Sequence, residues 1–460
     1  MSTDSSPPSS PGSFLPNKRM DTNRLRLKLA PFRLEKIIDY EPGGLHPVHL
    51  GDLFGDGGRY RVIHKLGNGG FATVWLCRDT EAGETTKYVA LKILMADAST
   101  ADCPDLRVND VKAWHSASQD SDDGAESICL PLDQFVIHGP NGDHLCFVYP
   151  VLGPKVSHGS FRASPDVDKI SRTACLRTVM AVAFLHSHGI CHGDITASNI
   201  LHRVSGLDGL DEDEVLRVLG LPEQNPVHKG TAEGHDEPGA PKYLVYPVKW
   251  LNVDLQYISQ QPCVIDFGES FEVSRRPEGL GTPGSYRAPE LMLDGAAGLG
   301  SDLWALGCTL FEIRTGRKLF SAFMDEDDEY LLDMIEILGK MPEPWWSTTW
   351  KERKEFFEDE ADEHGRAVSL HPERKTSEGK RDGYTVSVHP SVAEGAQSLK
   401  DKLAPGVWYL DIDFPDDNDH RDISQMEIDV FADLLGQFLK WDPHQRISAK
   451  AALDHEWFRL

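Results

Sequence analysis

The chain has 460 residues, of which 40% are hydrophobic, and a formal net charge of -26 at pH 7. That is enough apolar material for one large two-lobed domain or a few ordinary ones, and it excludes a wholly disordered chain. The acidic balance opposes nonspecific nucleic-acid binding and would attract basic partners, although a strongly acidic surface more often serves solubility alone, and no stretch reaches the roughly 18 apolar residues that a membrane span needs.

In chain order, residues 1 to 17, with Ser5-Ser6-Pro7-Pro8-Ser9-Ser10-Pro11-Gly12, are too rich in Pro and Ser to bury a core. Lys18 to Lys36 adds Arg24, Arg26, Lys28 and Arg33, so residues 1–39 are expected to form a disordered, basic tail. The start of the chain lacks the basic-then-apolar layout of a secretory signal. Its 8 cysteines, Cys77 to Cys308, show no pair at C-x₂₋₄-C spacing, so neither disulfides nor zinc are expected and a reducing compartment follows.

Tyr60-Arg61-Val62-Ile63, a glycine cluster and Ala72-Thr73-Val74-Trp75-Leu76 predict strand, turn and strand, and Tyr88 to Leu94 a third strand. Ala174, Val179, Val182, Phe184 and Leu185 recur at helical spacing between Ser171 and His188. Two stretches read as inserts, about 204–262 and about 342–422. The first opens on the acids from Asp208 to Glu214; the second carries Glu355, Glu358, Asp359, Glu360, Asp362 and Glu363, then Asp411, Asp413, Asp416, Asp417 and Asp419.

Three groups of residues carry chemistry. In Leu66-Gly67-Asn68-Gly69-Gly70-Phe71-Ala72-Thr73-Val74, the glycines let backbone N–H groups approach phosphate oxygens, although a plain tight turn uses the same residues. The next strand places Ala90, small enough to flank a flat base, two residues before Lys92. His192-Gly193-Asp194-Ile195-Thr196-Ala197-Ser198-Asn199 supplies a carboxylate and an amide oxygen five residues apart, suited to orienting a hydroxyl and holding Mg²⁺. Val264-Ile265-Asp266-Phe267-Gly268 ends an apolar strand on a second carboxylate.

In this order the three groups resemble the protein kinases. That resemblance spans about 60–458 and implies an α+β, two-lobed fold, with a small lobe and hinge at 60–153 and a larger, mainly helical lobe at 154–460 carrying both inserts. It implies that Lys92 binds ATP phosphates, that Asp194 is the catalytic base, and that Asn199 and Asp266 hold Mg²⁺. His-Gly-Asp also resembles small-molecule phosphotransferases. Against them stand Tyr286-Arg287-Ala288-Pro289-Glu290, Ser301-Asp302-Leu303-Trp304 and Trp441-Asp442-Pro443 through Arg446, which match protein kinases; Glu290, Asp302, Arg446 and His192 take architectural roles on that match.

The leader at 40–59, Tyr40-Glu41-Pro42-Gly43-Gly44-Leu45-His46-Pro47-Val48 with Gly51-Asp52-Leu53-Phe54, and the hinge-like Phe147-Val148-Tyr149-Pro150-Val151-Leu152-Gly153 resemble the SR-protein kinases of the CMGC group. The hinge match makes Tyr149, Val151 and Leu152 nucleotide contacts. The family implies Ser/Thr phosphorylation of Arg/Ser-rich proteins that regulate mRNA splicing, in cytoplasm and nucleus, with the acidic second insert holding the substrate; a monomer is expected because no heptad stripe is present.

Four features depart from the family pattern. Gly193 replaces the arginine that reads activation-loop phosphorylation, so activity without loop phosphorylation is expected. Thr196 stands where a lysine usually faces the γ-phosphate, a cation worth up to roughly 4 kcal/mol, so a slow enzyme or a substitute cation is expected. Asp110 is the expected acid of the helix that pairs with Lys92, one methylene short of the usual glutamate. Thr282 stands one residue too far from Glu290 to match the threonine that bonds the catalytic aspartate. With Thr196 and Asp110 in view, the other reading is a pseudokinase, an ATP-binding scaffold.

Overall fold

The computed structural model describes residues 25–29, 33–82, 87–117, 124–156, 161, 164–230, 233–322, 325–361, 367–370, 380–381, 384–385, 398–409 and 419–460. The small lobe is a six-stranded antiparallel sheet in the order β2-β3-β4-β5-β7-β6. Its strands are β2 Leu53–Phe54, β3 Tyr60–Asn68, β4 Ala72–Asp79, β5 Tyr88–Leu94, β6 Asp133–Gly139 and β7 Gly142–Pro150, with β1 Leu25–Leu27 lying outside it and one helix, α1 Val108–Ala117, on its flank. β5 is buried at six of its seven positions, all but Lys92, so both of its faces are covered. One face packs Val62, Trp75, Val89, Leu91 and Val148 against Val48 and Val245, while Ile63, Leu76 and Tyr88 pack with Leu207, Val215 and Leu219.

Below the hinge, β8 Leu152–Lys155, β10 Ile200–Val204 and β13 Ile258–Val264 form a three-stranded sheet in the order β13-β10-β8. Helix α2 Val167–Ser187 buries a stripe that includes Ile170, Ala174, Val179, Val182 and Leu185, as its 3.6-residue period requires. β9 Ile190–Cys191 follows it and pairs with β14 Phe271–Glu272. The large lobe continues through α4 Pro289–Leu293, α5 Leu299–Thr315, α6 Asp327–Leu338, α7 Leu399–Leu403, α8 Gln425–Phe438 and α9 Ala449–Ala452. α5 is buried on nearly every side, and Arg314 forms a bidentate pair with Glu427 of α8 at 2.7 and 3.0 Å.

The first insert, expected in the large lobe, packs on α2 there and also folds over the small lobe. Helix α3 Glu212–Leu219 starts with a capping box between Asp211 and Glu214, and Glu212 pairs with Arg61 and Arg78 of the small-lobe sheet. Strands β11 Gln224–Lys229 and β12 Tyr243–Val245 pair with each other, and β1 adds to their open edge in register Leu25↔Lys229. Asn141, in the β6–β7 turn, donates to Leu45 O of the leader at 2.6 Å and to Gly239 O of the insert at 2.7 Å.

Residues 25–29 and 33–39 are therefore not a loose tail, whereas residues 1–24 lie outside the described residues. Leu25, Leu27, Leu34 and Ile37 pack against Tyr40, Leu45, Val227 and Leu244. Lys65 of β3 is wholly buried, pairs with Glu35 and lies over the Trp75 ring at 5.6 Å; Tyr40 donates its hydroxyl to Glu35 at 2.7 Å. The insert reaches the same residue, for Val248 N–H donates to Lys65 O at 3.1 Å. A buried ammonium needs its counter-ion, so removing one partner costs more than the pair contributes. Glu35→Ala is expected to lower unfolding stability by about 3–5 kcal/mol, and Glu35→Leu with Lys65→Met to recover most of it, as chemical denaturation would measure.

Candidate active site

The glycine-rich turn joins β3 to β4. A Cβ on Gly67, Gly69 or Gly70 would meet no atom within 4 Å, so these glycines border open space and no protein clash explains them. Such a cradle leaves backbone N–H groups accessible to phosphate oxygens. Phe71, at the tip, is 67% exposed. Registers Ala72↔Leu94 and Val74↔Lys92 put those side chains on one sheet face, and Ala90↔Tyr149 links β5 to the hinge strand. Thr73 was expected among the nucleotide contacts, but the period of two turns it to the opposite face. There it is fully buried and accepts the Trp75 indole N–H at 3.0 Å.

Lys92 donates to Asp105 Oδ1 at 2.7 Å and to Asp266 Oδ1 at 2.9 Å. Burial works to lower its pKa, and the charges of Asp105 and Asp266 overcome this and raise it above the ordinary value. The acid expected at Asp110 is thus Asp105. Asp110 sits exposed in the first turn of α1, whereas Asp105 is buried in the short 3₁₀ turn Pro104–Arg107 that precedes the helix. A side chain one methylene shorter than glutamate needs the backbone closer, and this turn brings it there. Ser270 Oγ ties the turn to the segment after Asp266-Phe267-Gly268 by donating to Pro104 O at 3.3 Å.

Asp266 has φ +68°, a left-handed conformation that aspartate tolerates better than most residues. Burial pushes its carboxyl up, but the Lys92 charge and hydrogen bond outweigh that and hold it below the usual carboxylate range. Register Ile200↔Val264, with Ile265 N–H donating to Asn199 O at 2.9 Å, brings Asn199 beside Asp266 across the whole first insert. The Asn199 amide N–H₂ donates to Asp194 O at 2.9 Å and to Asp194 Oδ2 at 2.7 Å, which leaves its Oδ1 as an acceptor for a cation.

Asp194 Oδ1 is buried and makes no hydrogen bond. Burial is the main cause of a raised Asp194 pKa, with the charges of Asp266 and Glu269 adding to it. The groups acting most strongly on Asp194 are His192, Asn199, Asp266 and Glu269, none of them a lysine or arginine. Thr196 is buried.

The loop is held from below. Asp302 accepts from His192 N–H at 2.7 Å, Gly193 N–H at 2.9 Å and the His186 ring at 3.0 Å. Burial opposes its ionised form, and the His186 hydrogen bond and charge keep its pKa low. The His192 ring bonds Ile265 O at 3.0 Å, joining the loop to the strand before Asp266. Thr282 donates to Gly193 O at 2.7 Å. Glu290 and Arg446 form a buried bidentate pair at 2.6 and 2.7 Å. Among the described residues, no group of three or more His, Cys, Asp or Glu side chains could hold a metal alone.

Comparison with known proteins agrees with this geometry. Residues 248–458 match the protein kinase domain model. The serine/threonine-protein kinase SRPK of Physarum polycephalum is 27% identical over 337 residues, 70% of this chain and 76% of that protein. The serine/threonine-protein kinase AFC3 of Arabidopsis thaliana is 25% identical, covering 87% and 82%. Human SRSF protein kinase 3 is 36% identical over 172 residues, 35% of this chain and 28% of that protein. The crystal structure of a kinase domain, 21% identical, superposes with a TM-score of 0.54 over 89% of this chain and 98% of its own, which supports the fold. Residues 248–458 thus match a protein kinase domain, and the chain is similar to serine/threonine kinases that include SRPK and SRSF protein kinase 3.

Proposed function

We propose that this kinase transfers the γ-phosphoryl group of Mg·ATP to serine or threonine hydroxyls in basic, Arg/Ser-rich protein segments. The observation that carries the transfer is the state of Asp194: one carboxylate oxygen is fixed by Asn199 and the other is buried without a partner. Asp194 as a whole is only part buried, so a substrate hydroxyl can approach its carboxylate, which orients that hydroxyl and takes its proton. Lys92, locked between Asp105 and Asp266, steadies the phosphates beneath the glycine-rich turn. Mg²⁺, when bound, neutralises phosphate charge; Asn199 Oδ1 and the Asp266 carboxylate would hold it. Nothing in the geometry or the relatives favours the scaffold reading over this one.

The net charge supports the basic substrate. Glu355 and Glu358 are exposed acids, but Asp359 is engaged by the buried Arg353, and Asp411, Asp413, Asp416 and Asp417 lie outside the described residues. Asp325 to Glu329, where α6 begins, add a further acidic run, in which Asp327 pairs with Arg287 at 2.7 Å.

Labelled γ-phosphate should enter an Arg-Ser repeat peptide faster than a neutral serine peptide, with the difference shrinking as salt screens the charges. Asp194→Ala should lower kcat about 10²–10⁴-fold; transfer that survives in this variant would refute the assignment. Loss of a charge-assisted hydrogen bond of about 1.5–3 kcal/mol predicts that Asp105→Ala lowers kcat/KM for ATP roughly 10- to 100-fold, while Asp110→Ala changes it less than about twofold. Because Asp194 works deprotonated and its pKa is raised, activity should fall with falling pH while still above the ordinary aspartate value of about 3.9. A pH profile of kcat/KM for peptide reads this limb.

A further inference from the structure

Glu269 directly follows Asp266-Phe267-Gly268, and the kinase reading gives it no part. Its Oε2 accepts the Gly281 N–H at 2.9 Å, and a Cβ on Gly281 would come within 2.9 Å of Oε1. Its carbonyl presses on Gly193, whose φ of +79° and missing Cβ permit the approach; any side chain at 193 would overlap that carbonyl. Thr282, next to Gly281, is buried and donates to Gly193 O at 2.7 Å. Arg287 then takes Thr282 O through two N–H groups, at 3.1 and 2.9 Å.

These contacts close a ring from Gly193 through Glu269, Gly281 and Thr282 back to Gly193. The ring fastens the segment leading into Ala288-Pro289-Glu290 against the loop that carries Asp194. We propose that the Glu269 carboxylate is a built-in anionic clasp, a positioning residue that holds segment 281–287 where a peptide must lie. It acts on the segment's own backbone and needs neither an added phosphoryl group nor a basic side chain at 193. Its consequence for rate rests on the phosphoryl-transfer reading, whereas the clasp itself rests on the contacts alone.

The test compares the 460-residue chain with its Glu269→Ala and Glu269→Gln variants. Glutamine keeps an oxygen that can accept the Gly281 N–H. Glu269→Ala is expected to lower kcat for the peptide at least about tenfold, with KM for ATP and the thermal midpoint unchanged, and Glu269→Gln to recover most of the rate. Amide hydrogen exchange gives a second readout that needs no activity: Gly281 and Thr282 should exchange faster in Glu269→Ala, with α5 unaffected. Unchanged exchange at Gly281, or an unchanged kcat in Glu269→Ala, overturns the clasp. Absence of transfer by the parent protein refutes the kinase reading instead, and the exchange data still decide the clasp.

Discussion

The Lys92 ammonium is the point at which the two lobes become one site. Its two carboxylate partners come from opposite sides of the cleft, Asp105 from the turn before α1 and Asp266 from the end of β13. A cation held between two acids is strongly favoured in its charged form, and it in turn holds the Asp266 carboxyl below the usual carboxylate range. The arrangement therefore fixes both distance and charge: if either lobe rotates, a desolvated charge loses its partner. The hydrogen bond from Ser270 to Pro104 O acts in the same sense, because it ties the Asp105 turn to the segment just beyond Asp266.

The parts of this site that were legible in the sequence are those set by local chemistry. Glycines bordering open space, a lysine on an apolar strand, and Asp194 with Asn199 five residues on carry their meaning in a short window. The acid partner of Lys92 does not, because three-dimensional proximity chose it over helical spacing; the only local hint was Cys103-Pro104-Asp105, a proline that can open a 3₁₀ turn. Thr73 was misread for a different reason. A motif names consecutive residues, but a strand sends alternate ones to opposite faces, and the Trp75 indole takes Thr73 for the core side.

The docking of the N-terminal segment and first insert was invisible for a third reason. β1 has three residues and β12 three, too few for a periodic signal, and β1 meets β11 only across about 200 positions, Leu25 opposite Lys229. The acidic opening of the insert reads as a solvated face, and part of it is: Asp211 and Glu214 cap α3 in solvent. Yet Glu212 turns inward to Arg61 and Arg78, and the same helix buries Val215 and Leu219. Composition reported the charge and missed its direction. The buried Lys65 is the clearest trace of this cover, since a lysine two residues before the glycine-rich turn can lose all water only if something else encloses it.

The cleft is rich in carboxylate and poor in cation. Asp105 and Asp266 flank the Lys92 ammonium, Asp194 lies in the field of Asp266 and Glu269, and a threonine stands at 196. Such a field repels a nucleotide's phosphates and raises the Asp194 pKa, so it works against the reaction until positive charge arrives. Two sources of charge fit the residues present. One is the divalent ion that Asn199 and Asp266 are placed to hold. The other is the substrate itself, because an arginine next to the acceptor hydroxyl carries its cation in with it. Under the proposed function the acidity of the chain and the threonine at 196 belong together: a site that lacks that lysine would discriminate in favour of peptides that supply a cation, because a neutral peptide would meet the same carboxylates with nothing to offset them.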